Sequence, residues 1–410
     1  MPETPSPSSA GDALESAISA VSGTASEATG FWASAGDVGF ILLGFLIVLS
    51  IVVFVHEMGH FLVARLNRVR VETFSIGFGP ELGGFTDRHG TRWSLSAIPM
   101  GGYVRFFGDE DATSATADKE ALREMTDAEK AVCFQYKSVM QRFAIVAAGP
   151  LANFVLAIAI FWGVFMVWGQ LRPEARIAEV VDGMPAQAAG LRAGDLIVSV
   201  DGHDVEARQD VQRTVMLAGD RAVKVTVKRD GALLDYDVPV TAVMRGDALD
   251  NKVKIGQIGI IFTPGSEADR VRLGPVEALG EGFAQTGALV VDTFRFVGQM
   301  ITGYRSTEEL RGPITIARMS GKALEQGTLG FLMFVALLSA NLGLINLLPI
   351  PMLDGGHLVF YTWEALRGRP LSDRVQEWML RFGLAAVLTL MVYATFNDIV
   401  PQWLDKVKGL

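Results

Sequence analysis

The sequence predicts a polytopic α-helical membrane protein of about four transmembrane helices, with a strand-rich hairpin region after the first and one β-rich domain outside the bilayer. Three observations point there. Half of the 410 residues are hydrophobic and only 20% are charged, too apolar a balance for an ordinary soluble chain. Four stretches with little or no charge reach the roughly 20 residues that cross a hydrocarbon core of about 30 Å. Between the second and third of these the chain turns polar, alternating short Val- and Ile-rich runs with Gly, Asp and Pro, the pattern of short strands and tight turns.

Taken in order, residues 1–37 are rich in Ser, Ala and Pro and hold no Lys or Arg. The basic region of a signal peptide is missing, so they read as a flexible N-terminal tail. The first span is expected near 38–64, where Val38 to Val55 carry no charge, and the second near 144–168, closing a membrane unit of 38–169. Between them VRVETFSIGFGP, a turn at Asp87 to Gly90 and TRWSLSAIPMGGYVRFF read as strands punctuated by Gly. A compact β-rich module of 173–243 follows, with a helix around Asp210 to Leu217. Residues 244–329 read as a leftover strand, GQIGIIFTP, and an amphipathic segment near 286–301 whose Asp292 and Arg295 keep it on the membrane surface. The last unit, 330–410, holds spans near 330–352 and 378–397, the latter interrupted by Arg381, which must snorkel to the interface.

Basic residues set the orientation. Arg65, Arg68 and Arg70 follow the first span, Lys137 and Arg142 precede the second, and Arg367, Arg369 and Arg374 lie between the third and fourth. By the positive-inside rule those loops are cytoplasmic, and the N-terminus and the β-rich module are extracytoplasmic. Spans one and three then run in the same direction, so their C-terminal ends meet near the cytoplasmic face. The net charge of −9 has no polybasic block, which excludes a nucleic-acid partner.

Chemistry concentrates in HEMGH, His56 to His60, near the end of the first apolar run. Histidines at i and i+4 lie on one helix face and can grip a zinc ion, while Glu57 between them can take a proton from water. Ionisable groups at membrane depth are costly and point to function. A catalytic zinc needs a third protein ligand. Val63 and Leu66 stand where an extended motif requires Gly and His, which excludes that form, and the single Cys133 excludes a cysteine-built site. Glu72 and Glu81 are weaker candidates than Asp354, which follows more than twenty uncharged residues in NLLPIPMLDGG. Pro349 and Pro351 break the helix before it and Gly355 and Gly356 free the backbone after it.

HEMGH, GPLANF (Gly149 to Phe154), RGPITIA (Arg311 to Ala317) and NLLPIPMLDGGH together resemble the bacterial site-2 protease family, of the regulator-of-sigma-E protease type, over nearly the whole chain beyond residue 37. The resemblance implies an intramembrane zinc metalloprotease of the bacterial inner membrane, with His56, His60 and Asp354 as zinc ligands, Glu57 as the catalytic acid-base residue and Asn346 at a substrate-binding position. It implies regulated proteolysis of single-pass membrane proteins, anti-sigma factors or remnant signal peptides, near the cytoplasmic face. The 69–107 stretch resembles a membrane-associated hairpin whose edge pairs with an extended substrate. The 173–243 module, with GLRAGDLIVSVDG, resembles a PDZ domain that either binds peptide or excludes bulky substrates. Only one such domain is legible, whereas the best-known members carry two. His357 reads as a supporting or interfacial residue, and Asn153 and Asn341 as interhelical hydrogen-bonding groups. Two other readings compete: a catalytically silent PDZ-bearing scaffold, which would not need all four site residues, and a metal-regulated transporter, which would show inverted repeats.

Overall fold

The computed structural model describes residues 38–109, 124–219, 221–246, 252–266 and 269–408; the expected tail, 1–37, lies outside them. Among the described residues four helices are long and apolar enough to cross a membrane: Val38–Leu66, Val139–Val167, Gly327–Leu347 and Arg374–Val400. The second sits at the centre, packing on the third, on a helix at Pro275–Ile301 and on another at Asp354–Arg367. Small residues set the closest approaches. A β-carbon on Gly59 of the first helix would stand 2.3 Å from the Ala148 carbonyl oxygen of the second, and one on Gly343 of the third would stand 2.9 Å from that of Pro150. Such contacts replace the hydrophobic drive that lipid removes.

The third span is shorter than expected. It ends at Leu347 rather than near 352, because Pro349 and Pro351 supply no N–H and Met352 turns the chain with φ of +84°. Asp354 therefore opens the next helix, Asp354–Arg367, instead of closing the third. The glycines after it are steric necessities: a β-carbon on Gly355 would lie 2.1 Å from the Leu348 carbonyl oxygen, and one on Gly356 would lie 2.6 Å from that of Ile350. Arg142 Nη2 donates to Glu364 at 2.7 Å and ties this helix to the foot of the second span.

The hairpin strands, Val71–Thr86 and Arg92–Phe106, bend so sharply that they build four short ribbons. Trp93 pairs with both Phe74 and Phe85, while Phe74 also pairs with Val104, giving the order 102–106, 71–76, 92–95, 83–86. The bends fall at Gly77, Gly79 and Gly101, with φ of +90°, +83° and +121°, a region open to Gly at little cost. Phe74 anchors the ribbons to the first span, its ring 5.7 Å from Phe54, 5.8 Å from Phe61 and 4.6 Å from Trp93. Asp87 closes the turn, its carboxylate accepting from the backbone N–H groups of His89 and Thr91.

The module after the second span is an antiparallel sheet in the order His203–Asp204, Leu196–Val200, Ala222–Arg229, Ala232–Pro239. Val223, Val225 and Val227 alternate into its core against Ile197, Val200 and Val238, and Val211 and Val215 of the helix Arg208–Met216 cover them. The expected boundary at 243 falls short. Ile260–Phe262 pairs with Ile177–Val180 and Ile258 is buried in the same core, so the stretch read as a leftover strand completes the module. The amphipathic segment is longer than 286–301, running from Pro275 to Ile301. It lies along the second span, where Trp162 Nε1 donates to the Pro275 carbonyl, and Asp292 ion-pairs with Arg213 of the module.

Asp398, buried in the fourth span, accounts for RGPITIA. Its carboxylate accepts from the backbone N–H groups of Gly312 and Thr315, each at 3.0 Å, and from the Thr315 hydroxyl at 2.6 Å. A negative charge thus caps the helix Pro313–Glu325 at its positive end.

Candidate active site

The HEMGH residues occupy the last three turns of Val38–Leu66. His56 lies 18 residues beyond Val38, roughly 27 Å along a helix rising 1.5 Å per residue. Both imidazoles turn inward toward the second span and are nearly buried, and Asp354 reaches them from the start of its own helix. Among the described residues these three form the group of His, Cys, Asp and Glu able to hold a metal ion, with ligand atoms all within 4.8 Å of one another. His56 Nε2 and His60 Nε2 are 3.2 Å apart, and Asp354 Oδ2 lies 3.1 Å from the first and 3.5 Å from the second.

That triangle fits zinc. Ligands at about 2.0–2.1 Å in a tetrahedron stand about 3.3 Å from each other, and two imidazoles with one carboxylate leave the fourth position open to substrate or water. Glu57 stands beside them on the wall of a cavity of about 220 Å³, together with Gly102, Tyr103 and Val104 of the hairpin, His357 and Tyr361. A reacting group entering it would meet His56, His60 and Asp354 on one side and a β-ribbon on the other.

The second span holds both imidazoles from behind. His60 Nδ1 donates to the Ile145 carbonyl at 2.9 Å, and the Asn153 amide lies 3.2 Å from His56 Nδ1. Gly149 lies between them, and a β-carbon there would stand 2.2 Å from His60 Nε2. Ile145, Gly149 and Asn153 recur at every fourth position, so they share one stripe of the helix. The contact between Asn153 and His56 is not legible in the sequence, where Asn153 reads as interhelical glue; the four-residue spacing of Gly149 and Asn153 within GPLANF is the signal that could have found it.

The other candidates fall as follows. Asn346 sits at the site, its amide nitrogen 3.5 Å from His56 Nε2. His357 lines the cavity with its ring edge toward Phe360 at 5.9 Å. Asn341 joins helices by accepting from the Thr293 hydroxyl at 3.0 Å. Glu72 and Glu81 are drawn away, paired with Arg105 and Arg92.

Comparison with known proteins gives a match to the family described as Peptidase family M50 over residues 44–390. A provisionally named zinc metalloprotease of Agrobacterium fabrum is 45% identical over 368 residues, covering 90% of this chain and 97% of that protein. One of Rhizobium meliloti is 44% identical over 363 residues, covering 88% and 96%. The metalloprotease MmpA of Caulobacter vibrioides is 36% identical over 385 residues, covering 88% and 96%. Among solved structures, the PDZ domain of an SdrC-like protein from Listeria monocytogenes covers 21% of this chain and 84% of its own, at 26% identity and a TM-score of 0.18.

Proposed function

The chain belongs to peptidase family M50, the site-2 protease family, and is a zinc metalloprotease and a membrane protein; from this premise we propose that it cuts single-pass membrane proteins within or next to their transmembrane segments. The observation that carries the reading is the convergence of His56, His60 and Asp354 on one point at the end of a span helix. A site at that depth serves substrates that reach it through lipid rather than through bulk water.

The residues divide the work. Zinc held by His56, His60 and Asp354 supplies Lewis-acid activation of the attacking water and of the scissile carbonyl. Glu57 accepts the proton released from the water and returns it to the leaving amine. A helical substrate has its carbonyls engaged in its own hydrogen bonds, so it must unwind first. The ribbon 102–106 borders the cavity, and pairing of an unwound segment along it would replace the lost hydrogen bonds and align one peptide bond for attack. Asn346 supplies a further hydrogen bond to the substrate backbone beside His56.

The basic residues around the spans support a site near the cytoplasmic face of a bacterial inner membrane, with the β-rich module outside. By family likeness the substrates are anti-sigma factors or remnant signal peptides, and the module is a PDZ-like domain that engages a substrate segment or excludes bulky ones. The test is cleavage of a model transmembrane substrate by purified protein. Glu57→Gln should abolish cleavage with zinc still bound, and undiminished cleavage by that variant would refute the mechanism.

A further inference from the structure

Resting on the zinc-site reading above, we propose that Asn153 is a positioning residue that sets the tautomer of His56, its amide oxygen accepting from His56 Nδ1–H when Nε2 faces the metal. A neutral imidazole carries one proton. If its Nε2 lone pair is committed to a cation, that proton sits on Nδ1 and requires an acceptor. For His60 the acceptor is permanent, the Ile145 carbonyl at 2.9 Å. For His56 it is the side chain of Asn153, 3.2 Å away and completely buried.

The amide can present either of its two polar atoms to His56. Its nitrogen faces His56 Nδ1, and its oxygen is buried without a hydrogen-bond partner. With the nitrogen donating, Nδ1 must accept, and the His56 proton then lies on Nε2, 3.1 Å from Asp354 Oδ2. Turning the amide by 180° exchanges its oxygen and nitrogen at nearly the same positions. The oxygen then accepts from Nδ1–H, and Nε2 is released for the metal. One unpartnered amide atom remains in either orientation, so His56 decides between them. The amide can serve both tautomers, which neither a carbonyl nor a hydrocarbon can.

The backbone of Asn153 is fixed independently of this choice. The Ser339 hydroxyl donates to its carbonyl at 2.8 Å, so the side chain can turn without moving the helix. A residue that only glued helices together would affect stability and leave zinc affinity alone.

The experiment is zinc binding by the detergent-solubilised full-length protein, measured by competition with a chelator for the wild type and for Asn153→Leu, Asn153→Ala and Asn153→Asp. Leu and Ala should each weaken zinc binding about 10–100-fold, the usual effect of losing such a partner. Asp, an acceptor in every orientation, should return affinity to the wild-type range or above it. Cleavage lost in the Leu variant should recover at saturating zinc. The proposal is overturned if folded Leu or Ala variants bind zinc as the wild type does, or if Asp fails to restore what they lose. Should Leu and Ala not fold, the Asp variant decides alone, since weaker zinc binding by it is the overturning result. His60→Ala and Asp354→Ala run alongside; if they retain stoichiometric zinc, it is the metal site itself that has been misassigned.

Discussion

The imidazole of His60 lies directly on the backbone of the second span at Gly149, where an added β-carbon would stand 2.2 Å from Nε2. Real contacts of this kind do not occur, and the neighbour that must yield is a proposed zinc ligand held from its other side by the Ile145 carbonyl. Gly149→Ala should therefore weaken zinc binding by at least about tenfold. Ala favours a helix interior over Gly by about 1 kcal/mol, so the helix itself should be no less stable. Chelator competition and thermal unfolding on the same preparation separate the effects, and unchanged zinc affinity would show that His60 can relax at no expense to the site.

Much of this arrangement was readable in the amino-acid order because its signals are local. HEMGH places its histidines on one helical face by spacing alone, and uncharged runs mark the spans by length. Asp354 stood out because a carboxylate after a long apolar stretch demands a partner. What escaped depends on distance in the chain. Pro349 and Pro351 announce a break, but only the packed loop reveals that Asp354 begins a new helix, with Gly355 against the Leu348 carbonyl. Ile258 completes a core whose other members run from Ala175 to Val240, and no periodicity reports such a pairing. Asp398 lies just past the expected end of the fourth span and carries no local signal; its role exists only where the Gly312 and Thr315 N–H groups meet it.

The β-rich module should be acid-sensitive through Asp195. This carboxylate is 1% exposed and accepts from Arg229 Nε and Nη2, each at 2.6 Å, and from the Arg192 backbone N–H. Burial pushes its pKa up, but the Arg229 hydrogen bonds, that backbone hydrogen bond and the arginine charge outweigh it and hold the pKa below the usual carboxylate value. A group depressed in the folded state contributes stability that is fully present above its unfolded pKa, about 3.9, and is lost as pH falls through the lower folded value. Asp195→Asn should cost about 1.5–3 kcal/mol at neutral pH and flatten the acid response below about pH 4. Hydrogen exchange in the strand Ala222–Arg229 reads both, and an Asn variant as stable as the wild type at pH 7 would remove Arg229 as the cause.

Gly102 separates metal binding from catalysis. A β-carbon there would lie 2.8 Å from the Ser75 carbonyl oxygen, 2.9 Å from Val53 Cγ1 and 3.1 Å from Glu57 Cγ, so at Gly102 the ribbon bordering the cavity lies against the proposed acid-base residue. In Gly102→Ala either the ribbon lifts from the first span or the Glu57 side chain is pushed aside. Both displace the proton acceptor relative to the substrate while His56, His60 and Asp354 stay in place. Misplacement of a reacting group by about 1 Å costs on the order of 100-fold in rate, and a loss of about 10–100-fold in kcat is expected, with zinc affinity unchanged. The expectation is the reverse of that for Gly149→Ala, where the metal goes first and activity returns with added zinc. A Gly102→Ala protein that sheds zinc in step with activity would mean that the ribbon supports the ligands instead of Glu57.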